Sequence, residues 1–167
     1  HRQPSVIVYP TPRTVLITRA APLAEASRQY QALANSGPGT EIRAWVNDGG
    51  QKKFRVGQSV VFHFVSAKPG YLTLFFLDNH GVSTVLTPDL GDGRNFLPAN
   101  QERTFPSPRA KFRLAVEPPL GRADLYIVAT SQPLDKKFLA PFDKGAGTIM
   151  VPSAKTAQLM DSIRKVG

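Results

Sequence analysis

The chain has 167 residues and no cysteine. This absence excludes disulfide bonds, thiolate metal sites and cysteine nucleophiles. A chain of this length does not need such cross-links, because it can bury most of its apolar surface in a core. The absence does not fix the cellular compartment, since cytoplasmic domains as well as periplasmic ones do without cysteine.

Long hydrophobic runs are also absent. No apolar run approaches the ~20 residues that a transmembrane helix needs, and no signal-peptide pattern is visible. The chain begins at His1 rather than Met, so we expect a processed or a trimmed form, with a removed signal peptide or lipoprotein anchor as one alternative. We therefore expect a periplasmic or envelope-associated protein. Attachment through a lipid anchor at the removed N-terminus is an alternative.

Acidic residues are scarce. The chain has 12 Asp and Glu against 21 Lys and Arg, a formal net charge of +9 and a pI near 10.2. This balance favours anionic partners. The cations are dispersed, however, and no RNP, KH or zinc-finger pattern occurs, so specific nucleic-acid binding is not expected.

Proline and glycine are frequent, at 15 and 13 residues, which favours short strands joined by turns over a helical bundle. Two long runs, Ser59–Val65 and Tyr71–Leu77, alternate as strands do, and the tight turn Ala67–Gly70 joins them. Both faces of each run are largely apolar. A half-exposed antiparallel strand shows one polar face, so a helix, a second sheet or a partner must cover the other side.

Other segments have the composition of strands and helices. Further strands are predicted at Glu41–Val46, Gln51–Val56, Val82–Leu86, Gln101–Pro106, Lys111–Glu117, Ala123–Thr130 and Thr148–Val151, the fourth of them as a short edge strand limited by proline. The turn Asn47–Gly50 predicts a hairpin between the first two of these. Helices are predicted at Leu23–Asn35 and, capped by Ser153, at Ala154–Lys165, and they are the natural cover for the second apolar face.

These elements predict a mainly all-β chain. We expect an antiparallel β-sandwich, Ig-like, or a partly open barrel, with about seven to nine strands and one peripheral helix near each terminus. Residues 1–22 are expected to form an extended N-terminal arm, and residues 23–167 a single domain. The arm has two β-prone runs, Val6–Tyr9 and Thr14–Thr18, which can pair with a sheet edge or tether the domain to an upstream anchor.

A candidate partner-binding surface follows from the alternation of Glu41–Val46, which turns Arg43 and Trp45 outward. A tryptophan beside cations offers a large amphipathic contact area at low entropic cost. The alternative is that the N-terminal arm covers Trp45. The cations assigned to this surface are Arg43, Lys53, Arg55, Lys111 and Arg113. In the predicted strand Lys111–Glu117, Phe112, Leu114 and Val116 are expected to face inward.

Catalytic chemistry has little support in the sequence. The chain has three histidines and no Gly-x-Ser-x-Gly elbow. His63 is expected as a hydrogen-bonded histidine in or near the core, and His80 as an exposed turn residue. His1 could take part in a copper site with His63 or His80, which is a remote alternative. We expect that the protein is not an enzyme and that it has no catalytic residues, no cofactor and no metal. The aspartates of the loop 88–95 are expected to be solvent-exposed turn residues.

Several short motifs together resemble the bacterial DUF4384 family over about residues 40–140. They are Phe54–Val60, Gly70–Phe75, Leu86–Pro88, Leu97–Gln101, Val116–Gly121 and Leu125–Thr130. The resemblance implies a non-catalytic β-rich module, often attached to kinases, caspase-like peptidases, repeat proteins or envelope and secretion-associated proteins. We therefore expect a protein-interaction or scaffolding module of a bacterial envelope or secretion-associated assembly. The alternative is a basic binder of an anionic polymer, such as cell-wall glycan, lipid head groups or nucleic acid.

Overall fold

The computed structural model describes residues 5–8, 26–30, 32, 42–47, 57–78, 80–115, 124–145 and 147–166. Within these residues the strands are β1 (Ser5–Val8), β2 (Ile42–Val46), β3 (Ser59–Val60), β4 (Phe62–Ser66), β5 (Gly70–Leu77), β6 (Ser83–Leu86), β7 (Phe96–Leu97), β8 (Arg103–Phe105), β9 (Leu114–Ala115), β10 (Asp124–Thr130) and β11 (Met150–Val151). The helices are α1 (residues 26–30), α2 (Lys136–Leu139) and α3 (Thr156–Val166), with 3₁₀ turns at Ala140–Phe142 and Ser153–Lys155.

The strands form two main sheets. The large sheet has six strands in the order β1-β10-β5-β6-β11, with β7 also paired to β5, and the small sheet has the order β2-β4-β8. A separate short pair joins β3 to β9. All pairs are antiparallel except β1 with β10, which is parallel. The predicted mainly antiparallel β-sandwich is confirmed, and the sheets do not close into a barrel.

The turn Ala67–Gly70 carries the chain from one sheet to the other. The sequence pattern made β4 and β5 neighbours joined by a tight turn, and that pairing is wrong, because β4 lies in the small sheet and β5 in the large one. The Ser66 hydroxyl holds the turn by donating to the Lys68 carbonyl at 2.6 Å. At Gly70 an added Cβ would lie 3.3 Å from the Thr130 carbonyl oxygen, so glycine lets β5 start close against β10.

The two sheets share one hydrophobic cluster. On its inner side the large sheet contributes buried leucines of β5 and buried residues of β10, while the small sheet contributes phenylalanines. The fully or nearly fully buried members include Leu72, Leu74, Leu125, Ile127, Phe62, Phe64 and Phe105. This contact covers one of the two apolar faces of β5.

The other face of the large sheet is covered by the three helices, which form a helical layer. Phe75 and Leu77 of β5 face Tyr30 of α1 and Met160 and Ile163 of α3, all of them buried in a second hydrophobic cluster. The expectation of a helix near each terminus is thus confirmed. The layers run small sheet, large sheet, helices, so the chain itself covers both faces of β5.

Two helical features differ from prediction. The sequence predicted no helix between Leu23–Asn35 and Ala154–Lys165, but α2 forms there because the Asp135 side chain accepts a hydrogen bond from the Phe138 N–H at 2.8 Å and caps the helix. Ser153 does not cap α3. It is the first residue of a 3₁₀ turn, Ser153–Lys155, that leads into the helix, and the residue at the cap position of this turn is Pro152.

The predicted strand Lys111–Glu117 also differs. Only Leu114–Ala115 is extended and paired within the described part of this segment, which ends at residue 115. Phe112 was expected to face inward, but its side chain is 54 % exposed. The reason is local, because the segment starts directly after a turn closed by the Ala110 N–H and the Ser107 carbonyl, and strand pairing begins only at Leu114.

The predicted hairpin at Asn47–Gly50 and the strand Gln51–Val56 lie mostly outside the described residues. The described partner of β2 is β4. Asn47 adopts φ 55° and exchanges hydrogen bonds with Val61, through both its backbone N–H and its side-chain oxygen. These bonds fix the end of β2 against the start of β4.

No helix within the described residues has both the length and the apolar character required to cross a bilayer.

Candidate functional site

The outer face of the small sheet carries the tryptophan singled out in the sequence. In the register of β2, β4 and β8, Trp45 lies directly opposite His63, and His63 lies opposite Thr104. Arg43 lies opposite Val65 on the same face. The alternating residues of β4 are buried against the large sheet, so this row points away from the core. We call these five residues the Trp45 face.

The side chains of Trp45 and His63 stack. Their ring centroids are 5.2 Å apart and their planes differ by 6°. The His63 Nδ1 atom is 3.1 Å from a carboxylate oxygen of Glu102, whose side chain is 51 % exposed. The imidazole is therefore held from two sides and in turn holds the indole, which is half-buried. This matches the prediction of a hydrogen-bonded histidine close to the core, although it lies on the outward side of its sheet.

The structure brings together only part of the predicted cationic surface. Arg43 is exposed on the Trp45 face. Arg113 lies at the neighbouring β3, where its Nη1 donates to the Gly57 carbonyl at 3.3 Å. Lys111 lines a different surface, described below. Lys53 and Arg55 lie outside the described residues.

The alternative in which the N-terminal arm covers Trp45 concerns residues 1–22, of which the structure describes 5–8. These four residues form β1, which pairs with β10 at the edge of the large sheet and comes close to β2. The predicted pairing of the arm with a sheet edge is confirmed. The rest of the arm lies outside the described residues, so this alternative stays a prediction.

The histidines considered for copper binding stand apart. His1 lies outside the described residues, and His80 is exposed in the turn after β5, as expected. His63 has Glu102 as its partner. Within the described residues, no group of three or more His, Asp or Glu side chains is arranged to hold a metal ion.

A second surface was missed in the sequence. The loop 88–95 and residues 107–112 enclose a cleft of about 330 Å³ beside Phe112. The loop is internally bonded. The Asp89 carboxylate accepts the Gly91 and Gly93 N–H groups at 2.9 Å each. The hydrogen bond from the Arg94 guanidinium at 2.8 Å lowers the pKa of the Asp92 carboxyl.

The prolines before Phe112 were a usable sequence signal for this surface, since Pro106 and Pro108 limit a strand there.

The arrangement of both surfaces suits binding. The Trp45 face presents an aromatic ring that is already immobilised beside an exposed guanidinium, and the cleft presents an exposed aromatic ring between cations. An ordered aromatic side chain loses little further entropy on binding, which makes it an efficient contact residue.

Comparison with known families supports the resemblance to DUF4384 that the sequence motifs indicate. Residues 53–133 match the family model described as "Domain of unknown function (DUF4384)", within the span of the resemblance noted above. No curated protein and no solved structure matches the chain. The matched residues include β4, β5, β6 and β10, the strands that build both hydrophobic clusters. This match supports the assignment of residues 53–133 to the DUF4384 family.

Proposed function

We propose that the protein is a non-catalytic protein-interaction or scaffolding module and that the Trp45 face is its docking surface. The observation that carries the proposal is the stack of Trp45 on His63. Aromatic and arginine residues are enriched among the side chains that contribute most to protein interfaces. Here Trp45 lies two residues from exposed Arg43 on one strand, so both can contact the same partner.

The position of β2 adds a second means of recognition. Within the described strands, β2 stands at one end of the small sheet, with β4 as its partner. A strand at a sheet end can pair with an extended segment of another protein through its backbone groups. In that arrangement Trp45 and Arg43 would contact side chains of the added strand, which gives the interaction its specificity.

The setting we propose is an envelope or secretion-associated assembly, with the protein in the periplasm or attached to the envelope. The support for this setting is the family resemblance of the sequence. Binding of an anionic polymer is the competing proposal, supported by the net charge of +9 and by exposed Arg43, Lys111 and Arg113.

A site-specific cross-linking experiment tests the proposal. A photoreactive phenylalanine analogue is placed at Arg43 or Thr104 on the Trp45 face, and at Lys165 on α3 as a matched exposed control. We expect one defined protein to be cross-linked in envelope extract from both positions on the face, and not from Lys165. Trp45→Ala should abolish the cross-link while the thermal unfolding curve stays unchanged.

Salt separates the two proposals. A mainly hydrophobic protein interface should survive a rise in ionic strength, whereas retention on isolated cell wall or anionic vesicles should weaken steeply. Cross-linking that is equal from the face and from Lys165 would contradict the docking surface. Salt-sensitive retention on cell wall or vesicles, without a cross-linked protein, would support the polymer instead.

A further inference from the structure

We propose that the cleft beside Phe112 is a second binding site, which takes an acidic peptide segment with an apolar side chain at its centre. The cleft is lined by Asp89, Gly91, Ser107, Arg109, Ala110, Lys111 and Phe112. Its volume of about 330 Å³ is within the range of sites that enclose small groups. The site goes beyond the proposed docking surface, because it uses none of the residues of the Trp45 face.

Phe112 is the apolar contact in this cleft. It is the one large hydrophobic side chain that is exposed among the described residues, at 54 %. Its ring meets the buried Phe105 edge to face, with centroids 6.0 Å apart. The exposed ring therefore rests on the hydrophobic core shared by the two sheets, which restricts its motion before a ligand arrives.

The charge around Phe112 is positive. Residues 103–116 contain four cations and no carboxylate. Two of the four, Arg109 and Lys111, line the cleft and are exposed on either side of Ala110. The turn closed by the Ala110 N–H and the Ser107 carbonyl keeps these neighbours close to Phe112. A ligand that buries an apolar group on Phe112 would meet both cations at its flanks, so acidic flanking residues complement the site.

A peptide complements the cleft better than a continuous polyanion does. Asp89 lines the cleft as well and brings a carboxylate to it. This charge repels an uninterrupted row of phosphates or sulfates. A peptide backbone instead has N–H groups that can donate hydrogen bonds to the Asp89 carboxylate. The acidic side chains of the peptide can turn toward Arg109 and Lys111. The apolar surface of Phe112 likewise gives no advantage to a polymer without apolar groups.

The test uses a fluorescein-labelled synthetic peptide in which a single central phenylalanine is flanked on both sides by glutamate and aspartate. Its matched control has alanine in place of the phenylalanine. We expect the phenylalanine peptide to bind the full chain at low salt, as seen by fluorescence anisotropy. The alanine peptide should bind at least about tenfold more weakly, because burying a phenyl ring contributes strongly to affinity.

Three variants locate the site. Phe112→Ala should reduce affinity for the phenylalanine peptide at least about tenfold and should remove the preference over the alanine peptide. The double variant Arg109→Glu/Lys111→Glu should abolish binding. The matched control Lys136→Glu/Lys137→Glu, at two exposed cations of α2, makes the same change in net charge and should leave most of the affinity intact.

The outcomes separate the proposals. Equal binding of the two peptides, no binding of either, or an unchanged affinity of Phe112→Ala would overturn the peptide site. Heparin or phosphatidylglycerol vesicles that compete with the peptide on wild type and on Phe112→Ala alike would show a polyanion patch instead. Trp45→Ala should bind the peptide as the wild type does, so failure of the Trp45 face and failure of the cleft are distinguishable.

Discussion

Tyr30 and Tyr126 stack almost in parallel, with ring centroids 4.4 Å apart and planes 10° apart. Tyr30 belongs to α1 and Tyr126 to β10, so the stack fastens the first helix to the large sheet. The Tyr30 hydroxyl is also hydrogen-bonded to the Ser83 hydroxyl of β6 at 2.5 Å. Burial raises the pKa of Tyr30 far above its usual range, so its hydroxyl stays protonated even in alkaline solution.

Tyr30→Phe should destabilise the protein by about 1–3 kcal/mol, because the buried Ser83 hydroxyl loses its partner. Ser83→Ala should be destabilising for the same reason. The double variant should lose less than the sum of the two single ones, since it leaves neither group unpaired. Urea unfolding of all four proteins measures this coupling. Strict additivity would contradict the hydrogen bond as the cause.

Phe62 and Phe75 lie on opposite sides of the large sheet, Phe62 facing the small sheet and Phe75 facing the helices. Truncation of either to alanine should cost about 3–5 kcal/mol, as for buried aromatic residues in general. Phe112→Ala removes the same side chain from an exposed position and should cost about 1 kcal/mol or less. Chemical denaturation measures the three values. A cost for Phe112→Ala as large as for Phe75→Ala would show that Phe112 is part of the core.

His63→Ala should loosen the indole of Trp45 without unfolding the small sheet. Trp45 is the single tryptophan of the chain, so intrinsic fluorescence reports on this stack alone. We expect the emission to move to longer wavelength and the anisotropy to fall as the ring gains motion and water. Glu102→Gln is the milder control, since an amide oxygen can still bond to the imidazole. Identical spectra for wild type and His63→Ala would mean that other groups hold the indole.

The sequence predicted the strands correctly where the alternation of apolar residues alone determines the structure. The strands at β4, β5, β6 and β10 were predicted, because residues two apart share a face whatever the neighbouring strand is. The two apolar faces of β5 also predicted a cover on both sides, and the structure shows a second sheet on one side and helices on the other.

The alternation of apolar residues did not predict which distant strands pair with each other. β5 pairs with β10, about fifty residues further along the chain, and not with the adjacent β4. The parallel pairing of β1 with β10 has no local signal either.

The candidate site shows the same division. Alternation placed Arg43 and Trp45 on an outward face, but the stack on His63 depends on the register of β2 against β4, which short motifs do not specify. Phe112 was assigned inward because the predicted alternation started at Lys111, directly after the turn Ser107–Ala110, whereas strand pairing starts only at Leu114. An aromatic residue just after a turn is a position where alternation gives no reliable face.

The Asp143 carboxylate makes the stability of one sheet edge depend on pH. Its Oδ1 accepts the backbone N–H groups of Gly145 and of Met150, the first residue of β11, each at 3.1 Å. These bonds, that from Gly145 foremost, lower the pKa of Asp143 below its usual range. Because the folded-state pKa is lowered, the stabilisation is fully present above the unfolded-state pKa of about 4. It is lost as the pH falls through the folded-state value.

Asp143→Asn keeps an oxygen acceptor but removes the charge, so it should be less stable than wild type at pH 7. The difference in unfolding free energy should stay constant down to about pH 5 and then shrink as wild-type Asp143 becomes protonated. Urea titrations at several pH values measure it. Asp161→Asn, on the exposed side of α3, serves as a control for the general effect of losing one carboxylate.

Since Met150 pairs with Thr84 of β6, amide exchange at Met150 should also be faster in Asp143→Asn than in Asp161→Asn. A stability difference that does not change with pH would show that the Asp143 charge plays no part in holding β11.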